Sequence, residues 1–342
     1  MNVLPTAITV GDYHGIGSEV IAKGLKRLRA PTKDFVLFGD PACFLKWRKH
    51  LPTLNWVEID ATASPTKIRH LLRKHERAVR FLRCDSGSTD YQCGRNIELA
   101  TNLVLKKVFH SLCTGPIDKN NLHKGGYRYD GHTEMLQALC ETYYKKPFPV
   151  TMMLAGPKLK VSLATIHIPI SQVSKALTKT TLEICFLNTV TGLQKLFNIK
   201  KPKIAVLGLN PHAGDRGLFG NEESTVIKPS IAAILKQITN HTKTTTIDGP
   251  FAADGFFAQY AQRYSKSYDA VIAMYHDQGL IPAKMFDFDN TVNVTLGLPI
   301  IRTSVDHGVG FDIAGKNIAN PASFIAAYRL ARAAKSIRSA KK

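Results

Sequence analysis

The stretch DAVIAMYHDQGLIPAK, residues 269–284, places an apolar run directly before a histidine, an aspartate and a glycine. The run has the length and composition of a buried β-strand, and buried ionisable groups are costly unless something pairs with them. Two other runs share this form: KVSLATIHIP (160–169) and KIAVLGLNPHAGD (203–215). Three predicted strands therefore each lead to a histidine, namely His276, His167 and His212.

Predicted strands alternate with amphipathic segments along the chain. Further strand candidates are AITVGD (7–12), FVLFGD (35–40), FPVTMMLAG (148–156) and TVNVTLGLP (291–299). Helix candidates with an apolar period near 3.6 residues are 97–112, 170–197 (in two pieces) and 230–238. This alternation predicts an α/β fold with helices packed on a largely parallel sheet.

Length and composition indicate a globular protein of one large domain or two. The chain has 342 residues, of which 44% are hydrophobic and 21% charged, and these values are ordinary for a globular protein. No apolar run reaches 18 residues, and the N-terminal residues lack the pattern of a signal peptide. We therefore expect no membrane contact and a cytoplasmic location.

The net charge of +20 is the unusual global feature. Such a charge fits a nucleic-acid-binding protein, or a basic surface that attracts anionic small molecules. Lys and Arg are spread along the whole chain, and no zinc-finger or aromatic RNA-binding pattern accompanies them, so we expect no nucleic-acid partner. The six cysteines form no Cys-x-x-Cys pair and are expected to be reduced and mostly buried.

The three histidines are candidate metal ligands because of where their strands place them. Ligands of open α/β sheets lie beyond the carboxyl ends of the strands. Imidazoles that meet there could share one divalent cation and leave coordination positions open for substrate. The sequence spacing of these histidines matches no local zinc motif, and each one alone is more often structural than functional.

Three other stretches carry candidate binding groups. GDYHGIGSEV (11–20) offers a tight turn before a helix but lacks the Gly-x-Gly-x-x-Gly dinucleotide fingerprint. CTGPIDKNNL (113–122) and YDGHTEML (129–136) are polar, with Thr133 as a possible helix N-cap, and a structural role is as plausible as binding. VNVTLGLPIIRTSVDHGVGFDIAGKNIANP (292–321) interleaves Arg, His and Asp with glycines, as in a nucleotide-binding loop or a long surface loop.

Taken together and in this order, these motifs resemble the 4-hydroxythreonine-4-phosphate dehydrogenase family of vitamin B6 biosynthesis, from about residue 7 to residue 333. DIAGKNIANP also resembles the nucleotide loop of isocitrate and isopropylmalate dehydrogenases. The resemblance implies two α/β/α domains around a cleft, as in those dehydrogenases, and not a Rossmann fold. Residues 1–125 with 296–342 would bind the nucleotide, and residues 126–295 would bind metal and substrate and form the dimer.

The resemblance also implies roles for particular residues. The metal, which would be Zn, Mg, Mn or Co, is expected on His167, His212 and His276, with ligands shared across a homodimer interface. The implied substrate contacts are His132, Thr133, Lys284, Asn293 and Arg302. The implied contacts of an NAD or NADP cofactor are Asp306, His307, Gly308, Asp312 and Gly315. No catalytic base is assigned.

The implied reaction oxidises 4-phosphohydroxy-L-threonine to 2-amino-3-oxo-4-phosphobutanoate, which loses CO2 to give 3-amino-2-oxopropyl phosphate. One alternative is a dehydrogenase of threonate or erythronate 4-phosphate, and another is a metal-dependent phosphate-ester hydrolase, which would need no nucleotide loop. The chain departs from the family pattern at Tyr13 and Ser18, where proline is usual, and at His14. After His307 it reads Gly-Val-Gly-Phe, where Gly-Thr-Ala is commoner.

Overall fold

A computed structural model describes residues 4–83, 87–239 and 245–334. Its strands in chain order are β1 (Thr6–Thr9), β2 (Phe35–Phe38), β3 (Trp56–Asp60), β4 (Val79–Arg83), β5 (Ser111–Thr114), β6 (Thr151–Ala155), β7 (Lys160–Leu163), β8 (Lys203–Leu207), β9 (Thr246–Phe251), β10 (Ala270–Ala273), β11 (Val292–Leu296) and β12 (Arg302–Val305). Its α-helices are α1 (Gly17–Arg27), α2 (Pro65–Lys74), α3 (Thr89–Leu105), α4 (Lys119–Lys124), α5 (His132–Tyr144), α6 (Ile170–Ala176), α7 (Lys179–Lys195), α8 (Lys228–Thr239), α9 (Ala253–Ala258), α10 (His276–Asp287) and α11 (Ala322–Ala333).

The chain divides into two compact units. The first combines Met1–Phe148 with Leu298–Lys342, and the second is Pro149–Gly297. The first boundary thus lies 23 residues beyond residue 125, the boundary that the family resemblance implied. The difference arises because α5, which carries the GHTE motif, packs against α3 and so belongs to the first unit.

The first unit contains a parallel sheet with strand order β3-β4-β2-β1-β5-β12. Its strands are nearly continuous buried runs, as expected for a sheet covered on both faces. Arg80 is a charged residue inside β4, only 2% exposed. Its guanidinium donates hydrogen bonds to the carbonyls of Leu72 and Phe35. These bonds offset part of the cost of burying the charged group.

The second unit contains a mixed sheet with strand order β11-β6-β7-β10-β8-β9. β6 pairs antiparallel with both β11 and β7, whereas β7, β10, β8 and β9 are parallel. One face of this sheet packs on aromatic side chains, among them Phe256 and Tyr264, whose rings stack at 4.6 Å. Because β7, β10, β8 and β9 are parallel, their carboxyl ends lie on the same side of the sheet. His167, His212 and His276 follow β7, β8 and β10 there.

All seven strand candidates overlap an observed strand, so the α/β class predicted from the sequence is confirmed. The predicted helix 97–112 is partly wrong, because α3 ends at Leu105 and β5 begins at Ser111. The segment 170–197 forms two helices, as predicted. Among the described residues, no helix has both the length and the apolar character needed to span a bilayer.

Five of the cysteines carry free thiols, four of them buried. Cys84 and residues 335–342 lie outside the described residues.

Candidate active site

His276 begins α10, three residues after β10 ends. Its Nδ1 lies 2.7 Å from Oδ1 of Asp277, within hydrogen-bond distance. An imidazole that donates its Nδ1 proton to a carboxylate presents the Nε2 lone pair, which is the usual arrangement of a metal-binding histidine. The Asp277 carboxylate also stands in the first turn of α10, where the helix dipole favours a negative charge.

His167 lies beside His276, with ring centroids 5.6 Å apart. The two histidines follow neighbouring parallel strands, β7 and β10. Both line a cavity of about 290 Å3, together with Asp277 and the ring of Tyr275. Two imidazoles at this separation can bind a common cation, so this pair could supply two of the three or four ligands of a divalent metal.

His212 lies in a neighbouring cavity of about 630 Å3, which shares Tyr275 and Asp277 with the first. Its ring contacts Phe219 at a centroid distance of 6.1 Å. Within the described parts of the chain, no three His, Cys, Asp or Glu side chains are close enough to hold a metal ion. Of the three histidines, only His167 and His276 meet within one chain, so a metal site formed by all three, with ligands shared across a dimer interface, stays a prediction.

The His212 loop has an unusual backbone. His212, Ala213, Asp215 and Arg216 all have positive φ angles, between 37° and 59°. Such angles are unfavourable for residues with a Cβ and persist only where the surroundings impose them. Glu223 and Gln278, two polar residues that the sequence analysis did not select, hydrogen-bond to the backbone where this loop leaves β8.

In the first unit, His132 and Arg302 form a second cluster. Arg302 begins β12, is 2% exposed, and donates from Nη2 to Thr114 Oγ1 at 3.0 Å. Burial lowers the pKa of Arg302 to about 10, which still leaves it charged at neutral pH. Burial and the Arg302 charge hold the pKa of His132 well below its usual value, so this imidazole is neutral.

His132 Nε2 is buried without a hydrogen-bond partner among the residues described. A buried polar atom without a partner beside a buried guanidinium is suited to receiving a polar, anionic ligand group. Thr133 follows in the first turn of α5, but Gly131 is the N-cap, so the predicted capping role of Thr133 is wrong. The partial positive charge at the N-terminus of α5 adds to the preference for an anion.

Lys284 and Asn293, the other two implied substrate contacts, belong to the second unit. Lys284 lies on α10, eight residues after His276, or about 12 Å along the helix axis. Its ammonium group stands 5.8 Å from the ring centroid of Phe288. Asn293 is a half-buried residue of β11.

The implied cofactor loop packs against the first turn of α1, within the first unit. Val309 O accepts from Ile16 N at 2.9 Å, and a Cβ on Gly15 would lie 2.7 Å from that same carbonyl oxygen. Glu19 accepts from Ala319 N, while Lys23 donates to Asn317 O and Ala319 O. The GDYHGIGSEV motif and the glycine-rich loop, together with Lys23 of α1, are thus held to each other by hydrogen bonds.

The implied cofactor residues lie along this loop with different environments. The backbone N–H of Asp306 donates to Ser323 Oγ at 3.1 Å. His307 Nδ1 lies 2.9 Å from Gly308 O, and its Nε2 is buried without a partner in the described structure. Asp312 is exposed, and Gly315 has a φ of +75° with its carbonyl bonded to Lys46 Nζ.

Tyr13, which departs from the usual proline, has a structural explanation. Its hydroxyl oxygen accepts hydrogen bonds from Asp40 N at 3.0 Å and Asn96 Nδ2 at 2.9 Å. Burial raises the pKa of this hydroxyl far above its usual value, so it stays protonated. The tyrosine therefore ties the first motif to the loop after β2 and to α3. His14 Nε2 lies 3.3 Å from Thr89 Oγ1, and Ser18 is buried in α1.

The α/β fold, with imidazoles at the carboxyl ends of parallel strands, is typical of an α/β enzyme. The family described as pyridoxal phosphate biosynthetic protein PdxA matches residues 32–331. The chain belongs to this family, which confirms the resemblance found in the sequence.

Curated relatives match nearly the whole chain. A 4-hydroxythreonine-4-phosphate dehydrogenase of Prosthecochloris aestuarii is 39% identical over 341 residues, covering 95% of this chain and 96% of the relative. One from Ruegeria sp. is 41% identical over 332 residues, covering 95% of each. The crystal structure of the Klebsiella pneumoniae enzyme of that name superposes with a TM-score of 0.73 at 32% identity, covering 96% of this chain and 98% of the other.

Proposed function

We propose that this protein is a 4-hydroxythreonine-4-phosphate dehydrogenase that uses NAD or NADP and a divalent cation in pyridoxal phosphate biosynthesis. It would oxidise 4-phosphohydroxy-L-threonine to 2-amino-3-oxo-4-phosphobutanoate, a β-keto acid that decarboxylates to 3-amino-2-oxopropyl phosphate. The observation that carries this proposal is the similarity to dehydrogenases of that name over nearly the full length of both chains. A cytoplasmic location and the isocitrate and isopropylmalate dehydrogenase type of fold belong to the same proposal.

In the first unit, Arg302 would hold the phosphate or the carboxylate of the substrate. Its guanidinium is already buried away from water. Binding an anion therefore removes little further water from the guanidinium. The neutral His132 would complete the contact through Nε2, either donating a hydrogen bond to the substrate or accepting one from it. Thr133 offers a hydroxyl in the same helix turn.

In the second unit, His167 and His276 would hold the cation, with Asp277 orienting the His276 ring. When bound, the cation supplies Lewis acidity that lowers the pKa of the substrate hydroxyl, and the nicotinamide ring supplies the hydride acceptor. Lys284 would offer a positive charge to an anionic group of the substrate, and Asn293 would offer an amide. Asp306, His307, Gly308, Asp312 and Gly315 would face the cofactor on the loop that Lys23 and Glu19 hold.

We also propose a homodimer in which His212 of one chain completes the metal site of its partner. Two observations of the second unit support this. His212 is separate from the His167–His276 pair, and Ile281 and Met285 of α10 and Phe288 directly after it are exposed to solvent at 56%, 81% and 56%. Exposed apolar side chains one helical turn apart are typical of a surface that a protein partner covers.

An assay with the purified protein tests the activity. NAD(P)H formation from 4-phosphohydroxy-L-threonine in the presence of Mg²⁺, Zn²⁺ or Co²⁺ is the expected result, and removal of the cation should abolish it. Parallel assays with threonate 4-phosphate and erythronate 4-phosphate compare the alternative substrates. A larger kcat/KM for either sugar-acid phosphate would reject the proposed substrate while preserving the reaction class.

Subunit mixing tests the shared site. His212→Ala and His276→Ala proteins should each be inactive. After denaturation and renaturation as a mixture, half of the dimers would contain one intact site, so about a quarter of wild-type activity should return. No recovery from a mixture that sedimentation shows to contain mixed dimers would contradict shared ligands.

A further inference from the structure

The segments that follow β7 and β10 are hydrogen-bonded to each other two residues before their histidines. Thr165, which is 6% exposed, donates from both its backbone N and its Oγ1 to the carbonyl of Met274, at 3.1 and 2.7 Å. His167 and His276 each follow this contact by two residues. The distance between the two rings is therefore set by a short segment of chain on either side of a double hydrogen bond.

Gln278 extends this connection to β8. Its Oε1 accepts from Met274 N at 2.7 Å, and its Nε2 donates to Gly208 O at 2.7 Å. Gln278 lies in the first turn of α10, two residues after His276, and Gly208 is the residue that follows β8. The side-chain amide of Gln278 thus links the segment after β10 to the segment after β8, with its oxygen as acceptor and its nitrogen as donor.

Glu223 completes the connection on the His212 side. This carboxylate is 3% exposed, and its Oε1 accepts from Leu209 N and Asn210 N, both at 2.8 Å. Its Oε2 accepts from Asn210 Nδ2 at 3.0 Å, and a Cβ on Gly214 would lie only 2.7 Å from that oxygen. The loop therefore wraps closely around the carboxylate, with His212 two residues after Asn210.

The left-handed backbone of residues 212–216 explains why the loop needs the hydrogen bonds made by Glu223. A run of positive φ angles costs free energy at each residue with a Cβ, so the loop keeps this form only if other contacts impose it. Charge-assisted hydrogen bonds from backbone amides to a buried carboxylate are among the stronger contacts available. Glu223 makes two of them at the start of the loop.

We propose that Gln278 and Glu223 are positioning residues for the metal site. The hydrogen-bonded chain Thr165–Met274–Gln278–Gly208, continued through Leu209 and Asn210 to Glu223, sets the positions from which all three histidines are presented. This inference rests on the proposed function only in taking the histidines to be the metal ligands. It assigns a role to two residues that need not touch metal, substrate or cofactor.

Cobalt titration of the metal-free full-length protein provides the test. Gln278→Met keeps the side-chain length and removes both hydrogen bonds, and Glu223→Gln replaces an acceptor with a donor that opposes Asn210 Nδ2. Each variant should bind Co²⁺ about 10- to 100-fold more weakly, the range found when hydrogen-bond partners of metal ligands are lost. The visible absorption of bound Co²⁺ should shift, because the ligand geometry changes.

Matched controls come from the same unit. Gln237→Met alters an exposed glutamine of α8, and Glu183→Gln alters the glutamate paired with Lys179 on α7. Both should bind Co²⁺ within about twofold of wild type, as expected for surface changes. NAD(P) binding, which the first unit would supply, should be unchanged in all four variants.

Amide hydrogen exchange of the metal-free protein gives a readout independent of the metal. In Glu223→Gln, exchange at Leu209 and Asn210 should quicken while the amides within β8 keep their protection. If Gln278→Met does not fold, Gln278→Glu isolates one link, because it retains the acceptor for Met274 N and loses the donor to Gly208 O. It should then weaken Co²⁺ binding while the metal-free protein unfolds within a few degrees of wild type.

The outcomes separate this inference from the proposed function. Equal Co²⁺ affinity and spectra in folded Gln278 and Glu223 variants, with His167→Ala and His276→Ala impaired, would overturn the positioning role alone. If wild type binds no Co²⁺, or if the histidine variants bind it normally, the proposed metal centre fails and the inference fails with it.

Discussion

At the scale of single residues, Arg302 combines a buried charge with a neutral neighbour, His132. We expect Arg302→Met to raise KM for the phosphorylated substrate by about 10- to 150-fold, because a charge-assisted hydrogen bond contributes about 1.5–3 kcal/mol. Arg302→Lys should lose less, since it keeps the charge but not the planar donor pair. Steady-state kinetics measure this, with thermal unfolding as the control for folding. An unchanged kcat/KM in Arg302→Met would refute the anion-binding role.

Lys284 offers a second test of the anion-binding hypothesis. It is half-buried on α10, so its removal should disturb the fold less than that of Arg302. We expect Lys284→Met to raise KM by about tenfold or more for the same physical reason. Lys266→Met, an exposed lysine in the same unit, is the control and should leave KM unchanged. Equal KM values in the two variants would show that Lys284 does not contact the substrate.

The neutral state of His132 predicts a pH dependence of stability. Its pKa is lowered in the folded protein by burial and by Arg302, so the unfolded chain binds a proton at a higher pH than the folded one. The contribution is fully present above about pH 6.5, the unfolded value, and is lost as the pH falls towards the folded pKa. Urea unfolding of wild type and His132→Gln between pH 7.5 and 5 measures it. The stability of wild type should fall more steeply, by up to about 1.4 kcal/mol per pH unit, and parallel curves would contradict the assignment.

At the scale of secondary-structure elements, α1 holds the glycine-rich loop through Lys23, which contacts Glu19 at 2.6 Å and two loop carbonyls. We expect Lys23→Met to weaken NAD(P) binding by about 2- to 10-fold, the effect of losing hydrogen bonds that contribute about 0.5–1.5 kcal/mol. Cobalt affinity in the second unit should not change. Calorimetric titration measures both, with Lys26→Met, an exposed change on the same helix, as control. An NAD(P) affinity equal in the two variants would show that the loop does not depend on this contact.

The elements that sequence analysis recovered or missed have a common physical explanation. Apolar runs such as those of β8 and β10 are strong signals because both faces of these strands are buried. β4 was missed because Arg80 and Arg83 interrupt its apolar pattern, and β3 because only one of its residues is buried. β5 was absorbed into a predicted helix, since a four-residue strand offers too short a pattern to compete with the helix before it.

At the scale of the whole molecule, the net charge of +20 should attract anionic substrates without creating a nucleic-acid site. We expect kcat/KM for the phosphorylated substrate to fall as salt screens the field over about 8–10 Å. Micromolar duplex DNA at about 0.15 M salt should leave the activity unchanged. Nanomolar DNA binding that inhibits the enzyme under those conditions would show that the charge serves a nucleic-acid partner.

The α/β class, the histidines that follow the strands, the family and the overall charge could all be predicted from the amino-acid sequence. These features depend on local periodicity, on motif order and on composition, which are present in the chain before it folds. Three features could be seen only in the folded chain: His167 meets His276, His212 lies in another cavity, and Arg302 is buried beside a neutral His132. The reason is that these contacts join separate parts of the chain. Strand order places β10 between β7 and β8, and the hydrogen bonds of Gln278 to Gly208 and of Glu223 to Leu209 span 70 and 14 positions.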